Sequence, residues 1–289
     1  MSQTRVPAQS SGPSGPGLSA NLLGRRTRPL AARRTGGRRA WPRWATIVIL
    51  LATWQLAAVL NGDDRFYNAA LIPSPWQVLR AAGDLAASGE LWTDTWTSTL
   101  RVLAGLGVAA PVAVLAAALT TASRTLSNVL DPVIDVLRPV PTLALLPMFI
   151  LWFGVGETSK VMLIAFSTFF LIYVPSVEAI RNVDPVLVQA AGTLGLTRTQ
   201  RYRHVIAPSA APAIFVGLRM ALGTGWFLVV GAEFIAADNG LGYLINFSRI
   251  WFRVSDMLVG AAVIAVLGLL GNALLLRLEQ RLFAWRERA

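Results

Sequence analysis

The chain has 289 residues, of which 54% are hydrophobic and only 14% charged, with a mean hydropathy of +0.55. A soluble domain keeps about a quarter of its residues charged; here the shortfall gathers in runs near the roughly 20 residues that cross a bilayer, which excludes an ordinary soluble fold. No cysteine and a single histidine, His204, exclude a disulfide framework, a thiolate nucleophile and a multi-histidine metal cluster.

Residues 1–43 contain nine arginines (Arg5, Arg25, Arg26, Arg28, Arg33, Arg34, Arg38, Arg39, Arg43) and no acid, so they carry +9 of the net +11. Rich in Ser, Gly and Pro, this segment is expected to be a disordered cytoplasmic tail. Its charge either attracts anionic lipid or only sets topology. Because the rest of the chain is close to neutral, nucleic acid is not the expected partner.

The transmembrane domain is expected over residues 44–289. Its first apolar run covers 45–60. The positive flank fits a signal peptide, but the charged region is long and Leu60-Asn61-Gly62 is no small-x-small cleavage site, so a retained helix is expected. Residues 61–94 read as a polar stretch. Further spans are predicted at 98–120, 133–153, 161–180, 208–232 and 257–276. Pro139, Pro141 and Pro147 interrupt the third, which should be kinked and either shielded by protein or lining a cavity.

Six spans agree with the charge pattern. With the tail inside, the inner segments are the tail, Arg124, residues 181–205 and residues 277–289, and each is net positive. The outer segments, 61–94, the turn at Glu157 and 233–256, are each net negative. This is the positive-inside arrangement, with both termini and residues 181–205 in the cytoplasm. Gly217, Ala221 and Gly225 repeat at four-residue spacing in the fifth span, as do Gly105 and Ala109 in the second. Such spacing predicts close helix packing.

The most informative segment lies between the fourth and fifth spans. Asp184 is a good N-cap and Pro185 suits the first helical position. Gly195 can stop that helix, Thr197 with Gln200 makes a capping box for a second one, and Pro208 is expected to end it. The result is a helix–glycine–helix elbow whose small surface at Ala190 and Ala191 suits docking in a partner's groove.

Gln189, Ala190, Ala191, Gly195, Val205, Ala207 and Pro208 stand at the offsets of the E-A-A-x3-G-x9-I-x-L-P loop, and the segment resembles the ATPase-coupling loop of ABC importer permeases. Three positions depart: Gln189 for Glu, Val205 for Ile and Ala207 for Leu. Gln189 cannot make a charged contact with an ATPase arginine, although a neutral hydrogen bond remains open to it. Leu130-Asp131-Pro132, Arg138-Pro139-Val140-Pro141, Ile150-Leu151-Trp152-Phe153-Gly154 and Gly240-Leu241-Gly242-Tyr243 are similar to the nitrate, sulfonate and taurine group, over roughly residues 70–285.

The resemblance implies an all-α, six-helix type I importer permease in the bacterial inner membrane. It also implies a second permease copy, an ABC ATPase dimer and an extracytoplasmic substrate-binding protein. ATP and Mg belong to the partner ATPase, and no cofactor is expected on this chain. The only lysine, Lys160, lacks the preceding glycine and following Ser or Thr of a P-loop.

Arg219, about eleven residues into the fifth span, either attracts an anionic substrate or pairs with Glu178; the pair is the favoured expectation. Arg101 and Glu233 are expected to cap or anchor helices. A secondary transporter built on broken helices is the rival reading, but no inverted repeat is found. The substrate stays open among nitrate, sulfonates, taurine, bicarbonate and uncharged vitamin precursors.

Overall fold

A computed structural model describes residues 43–61 and 71–283; the tail predicted over 1–43 lies outside them except for its last residue. The chain divides at Val48 and Ile49. Of the first unit, the described residues are 43–48, at the start of helix α1 (Arg43–Asn61). The second unit carries the rest of α1 and all other elements.

Two helices form where the polar stretch was expected. Ser74 and Gln77 make a capping box, Pro75 opens α2 (Pro75–Ser88), and Gly89, at φ 85°, closes it in the left-handed region. Helix α3 (Glu90–Ala122) begins at once and runs for 33 residues, eight earlier than the predicted second span. Helix α4 is Arg124–Leu137. Pro139 and Pro141 supply no backbone donor, and Pro141 is extended, at ψ 103°. The chain therefore turns there, makes a 3-10 turn over Thr142–Leu145 and enters α5 (Leu146–Phe153), with a 91° bend between the two halves. The predicted third span is thus a bent pair.

Helix α6 is Glu157–Arg181, α7 is Pro185–Thr193 and α8 is Arg198–Arg201. A π turn over Tyr202–Ile206 leads into α9 (Ala207–Ala236). Helix α10 (Leu241–Ile250) occupies the expected loop before α11 (Val254–Leu282). Among the described residues, four stretches are long and apolar enough to cross a membrane: α3, α6, Arg198–Ala236 and α11. The bent pair makes a fifth if counted as one span.

Helices α3, α6 and α9 pack around one core built from Val102, Ile164, Ile172, Tyr173 and Val229. Small residues let them approach. On α3, Gly105, Ala109, Ala113 and Ala117 are all buried at four-residue spacing. On α9, a Cβ at Gly217 would lie 3.1 Å from the Leu171 carbonyl of α6, and one at Gly225 would lie 3.2 Å from Val102 of α3. A Cβ at Gly105 would lie only 2.5 Å from Cγ2 and 2.8 Å from Cβ of Ile164. Gly105→Ala should therefore destabilise the detergent-solubilised protein by about 1–3 kcal/mol through overpacking. Gly107→Ala, on an open face, should leave the melting temperature unchanged or raise it.

Candidate functional site

The elbow forms from its local signals. The Asp184 carboxylate accepts from Val186 N at 2.8 Å, opening α7. Gly195, at φ 76°, closes it while Leu196 N donates to the Ala191 carbonyl at 3.1 Å, a hydrogen bond that uses the left-handed conformation glycine adopts freely. Thr197 N donates to Gln200 Oε1 at 2.9 Å and Gln200 N to Thr197 Oγ1 at 3.4 Å, completing the second cap.

Two expectations need correction here. Pro208 does not end the second elbow helix. It sits in the first turn of α9, where its missing donor is harmless, and the wider π turn, with Ala207 N bonded to the Tyr202 carbonyl, carries the backbone through. Residues Arg198–Ala236 thus form one 39-residue helical run. Second, Ala191 is buried, at 4% exposure, so it packs inward. The open surface of α7 is made by Val186, Leu187, Gln189, Ala190 and, beyond its end, Leu194 and Gly195. Val205 is half-buried in the π turn and Pro208 is exposed.

At the opposite end lies a buried ionic cluster. Arg101 is 2% exposed and donates through every nitrogen. Nε and Nη2 reach the two Glu157 oxygens at 2.5 and 2.6 Å. Nη1 reaches Glu233 Oε1 at 2.6 Å and the Asn239 carbonyl at 2.8 Å, and Nη2 also reaches Asn239 Oδ1 at 2.7 Å. Lys160 adds a 3.0 Å ion pair to Glu157. Asp94, Ser98 and Arg101 share one face of α3, and the first two cap α10: Gly240 N donates to Asp94 at 2.7 Å and Leu241 N to Ser98 Oγ at 2.9 Å. Gly242 N donates to Glu233 at 2.7 Å. Three orphan donors of a helix start are thereby satisfied beside two carboxylates, the sign its dipole favours.

This is the anchoring expected of Arg101 and Glu233. Their partners Asp94, Ser98, Glu157 and Asn239 were not foreseen, because their meeting depends on the rotation of three helices. Glycine at 240 and 242 was the available signal. A Cβ at Gly240 would lie 2.5 Å from the Glu233 carboxyl and one at Gly242 2.8 Å from the Val230 carbonyl.

The expected pair of Arg219 with Glu178 is not found. Arg219 Nη1 contacts Glu279 Oε2 at 3.2 Å, and its Nε donates to Asn272 Oδ1 at 3.2 Å. Asn272 and Glu279 are seven residues apart, on one face of α11, so Arg219 ties α9 to α11. Glu178 lies on a different side, in a hollow with Met220 and Thr224 of α9. Thr224 is five residues from Arg219, roughly 140° around a 3.6-residue helix.

A bundle of long apolar helices, with a solvent-facing helix–glycine–helix elbow between two of them, is the architecture of an ABC importer permease. The structure aligns with the MetNI methionine ABC transporter in an inward-facing conformation at a TM-score of 0.56. That alignment covers 73% of this chain and 98% of the other, at 18% identity. In sequence, the chain is 38% identical over 242 residues to the aliphatic sulfonates transport permease protein SsuC of Escherichia coli strain K12, covering 84% of this chain and 90% of that one. It is 35% identical over 245 residues to the taurine transport system permease protein TauC of the same organism, covering 83% and 88%. Residues 109–284 match the binding-protein-dependent transport system inner membrane component, and the chain belongs to that family. It is a multi-pass inner-membrane permease subunit of an ABC importer, and not itself an enzyme. The family works with a separate ATPase and a substrate-binding protein.

Removing Arg101 would strand Glu233, which is 1% exposed. A buried pair broken on one side costs about 3–5 kcal/mol. Arg101→Met should therefore lower the melting temperature of the solubilised protein by on the order of 10 °C. Arg181→Gln, at the Arg181–Asp131 pair that is open to solvent on both sides, should change stability by less than about 1 kcal/mol.

Proposed function

We propose that the elbow at Asp184–Pro208 is where the partner ATPase docks, with Gln189, Ala190, Gly195 and Pro208 on its exposed surface and Ala191 and Val205 holding its shape. The observation that carries this reading is continuity: the elbow's second half and α9 are one helical run, Arg198–Ala236. A push on the elbow moves that run along its axis. In this reading ATP and Mg stay on the partner, and Gln189 contributes a neutral hydrogen bond where the loop pattern has a carboxylate.

The chain crosses the membrane six times, counting α1 and the bent pair, with both termini and the elbow in the cytoplasm of a bacterial cell. The positive segments on the elbow side support this orientation. Residues 1–43 are its arginine-rich cytoplasmic extension. Two copies of the chain line one pathway, served by an extracytoplasmic binding protein. The relatives named for aliphatic sulfonates and taurine support a small organosulfonate as substrate.

The test is Gly195→Val. A β-branched residue in the left-handed region costs about 1–2 kcal/mol, and the exposed position leaves membrane insertion unaffected. The ATPase should co-purify less well with this variant, and uptake per ATP hydrolysed should fall several-fold. Normal co-purification and normal coupling would make the elbow a passive connector. Single cysteines at Thr199 and Ser88 check the orientation: only Ser88→Cys should react with an impermeant reagent applied to intact cells.

A further inference from the structure

An open hollow of about 480 Å3 lies against the bend after α4 and the facing sides of α6 and α9. Its walls carry Arg138 at the end of α4, Thr142 on the 3-10 turn, Ser167, Pro175 and Glu178 on α6, and Thr224 on α9. Its size falls within the roughly 300–1,000 Å3 of small-molecule sites.

Two of its lining residues carry opposite charges. Arg101, Lys160, Arg181, Arg219 and Arg253 each meet a carboxylate, whereas other described arginines, such as the exposed Arg124 and Arg198, do not. Among the described residues, the Arg138 side chain meets none and the Glu178 side chain meets no cation. Asp135, one turn before Arg138 on α4, makes no ion pair with it, and neither does Glu178. The hollow therefore offers separated opposite charges with three hydroxyls among its lining residues. A guanidinium presents forked donors suited to an oxyanion, a carboxylate accepts from an ammonium, and hydroxyls serve either.

We propose that this hollow is a substrate station on the transport pathway that takes a small zwitterion, an aminoalkanesulfonate, with Arg138 holding the sulfonate and Glu178 the ammonium. This rests on the organosulfonate reading above and adds to it a specificity-determining residue. A sulfonate without an amine meets the Glu178 carboxylate as a repulsive neighbour, which is the element that separates the two substrates.

The test uses proteoliposomes holding the permease, its ATPase and its binding protein, with uptake of taurine and ethanesulfonate measured separately. Glu178→Gln should reduce taurine uptake at subsaturating concentration while leaving ethanesulfonate equal or raised, so that their ratio falls ~10-fold, as expected for one charge-assisted hydrogen bond. Arg138→Gln should reduce both by ~10-fold or more, and Arg138→Lys should recover part of the loss. Each variant permease should co-purify with its ATPase in wild-type amount, reporting assembly. An unchanged taurine-to-ethanesulfonate ratio in Glu178→Gln would overturn the proposal and leave the organosulfonate reading standing, as would wild-type transport of ethanesulfonate but not taurine. Recovery of uptake in the double Arg138→Gln, Glu178→Gln variant would mark a structural pair and overturn it too. Wild-type uptake of neither compound would defeat the organosulfonate reading and the station with it.

Discussion

Arg101 donates from all three guanidinium nitrogens inside the bundle, and its partners lie on three different segments. Glu157 opens α6, Glu233 lies in the last turns of α9, and Asn239 precedes α10. A buried guanidinium is tolerable only when its charge and its donors are all answered. That requirement fixes α3, α6 and α9 against one another at this end. The start of α10 follows from it, since Glu233, placed by Arg101, also receives Gly242 N. The two glycines are the steric counterpart of the same constraint: the backbone passes too close to Glu233 to carry a side chain. Arg101 and Lys160 face Glu157 and Glu233 in the cluster, and Asp94 beside them is held by the Gly240 backbone.

The elbow end is tied differently. Tyr173 OH meets Asp131 at 3.0 Å and Thr120 at 3.1 Å, while Arg181 reaches Asp131 at 3.2 Å. Arg181 is half exposed, and such ion pairs are individually weak, about 0–1 kcal/mol. Arg219 with Glu279 and Asn272 is a partly buried tie of the same order in number of contacts. The core of small residues between α3, α6 and α9 runs past both regions, so packing is shared and the contrast is in the polar ties. At one end Arg101 and Glu233 are both buried, whereas at the other the Arg181–Asp131 pair is open to water above the buried Tyr173 and Thr120.

What was legible in the sequence was mostly local. Asp184, Gly195, Thr197 and Gln200 act within a few residues of themselves, and the elbow they predict is the one found. The small-residue spacing on α9 is also local, and its face packs as expected. The same signature stands at Ser74 and Gln77 with Gly89 beyond, yet reading residues 61–94 as polar passes over it, because the apolar pattern of α2 is interrupted by Arg80 and Asp84. The partner of Arg219 was not legible. Depth in a helix follows from counting residues, but direction depends on how that helix is rotated against its neighbours, and Glu178 and Glu279 are both plausible until that rotation is known. Pro208 misled for a related reason: proline stops a helix from inside but opens one from its first turn, and the π turn before it decides which applies.

Continuity between elbow and span links these observations. A helix resists axial compression because each residue is hydrogen-bonded to the turn below, so Arg198–Ala236 carries a displacement along its length, roughly 58 Å at 1.5 Å per residue. Glu233 lies three residues from the far end of that run. Under the coupling proposed above, force applied at the elbow therefore arrives at the carboxylate that Arg101 and the α10 backbone both hold. The hollow bearing Thr224 lies along the same run, between the two ends. The π turn is the one place where the run departs from α geometry, and it falls just inside the elbow, where a change of register would alter the lever's direction without breaking it. In the proposed coupling, this run passes a displacement at the elbow as a unit to Glu233, the carboxylate that Arg101 holds at its other end.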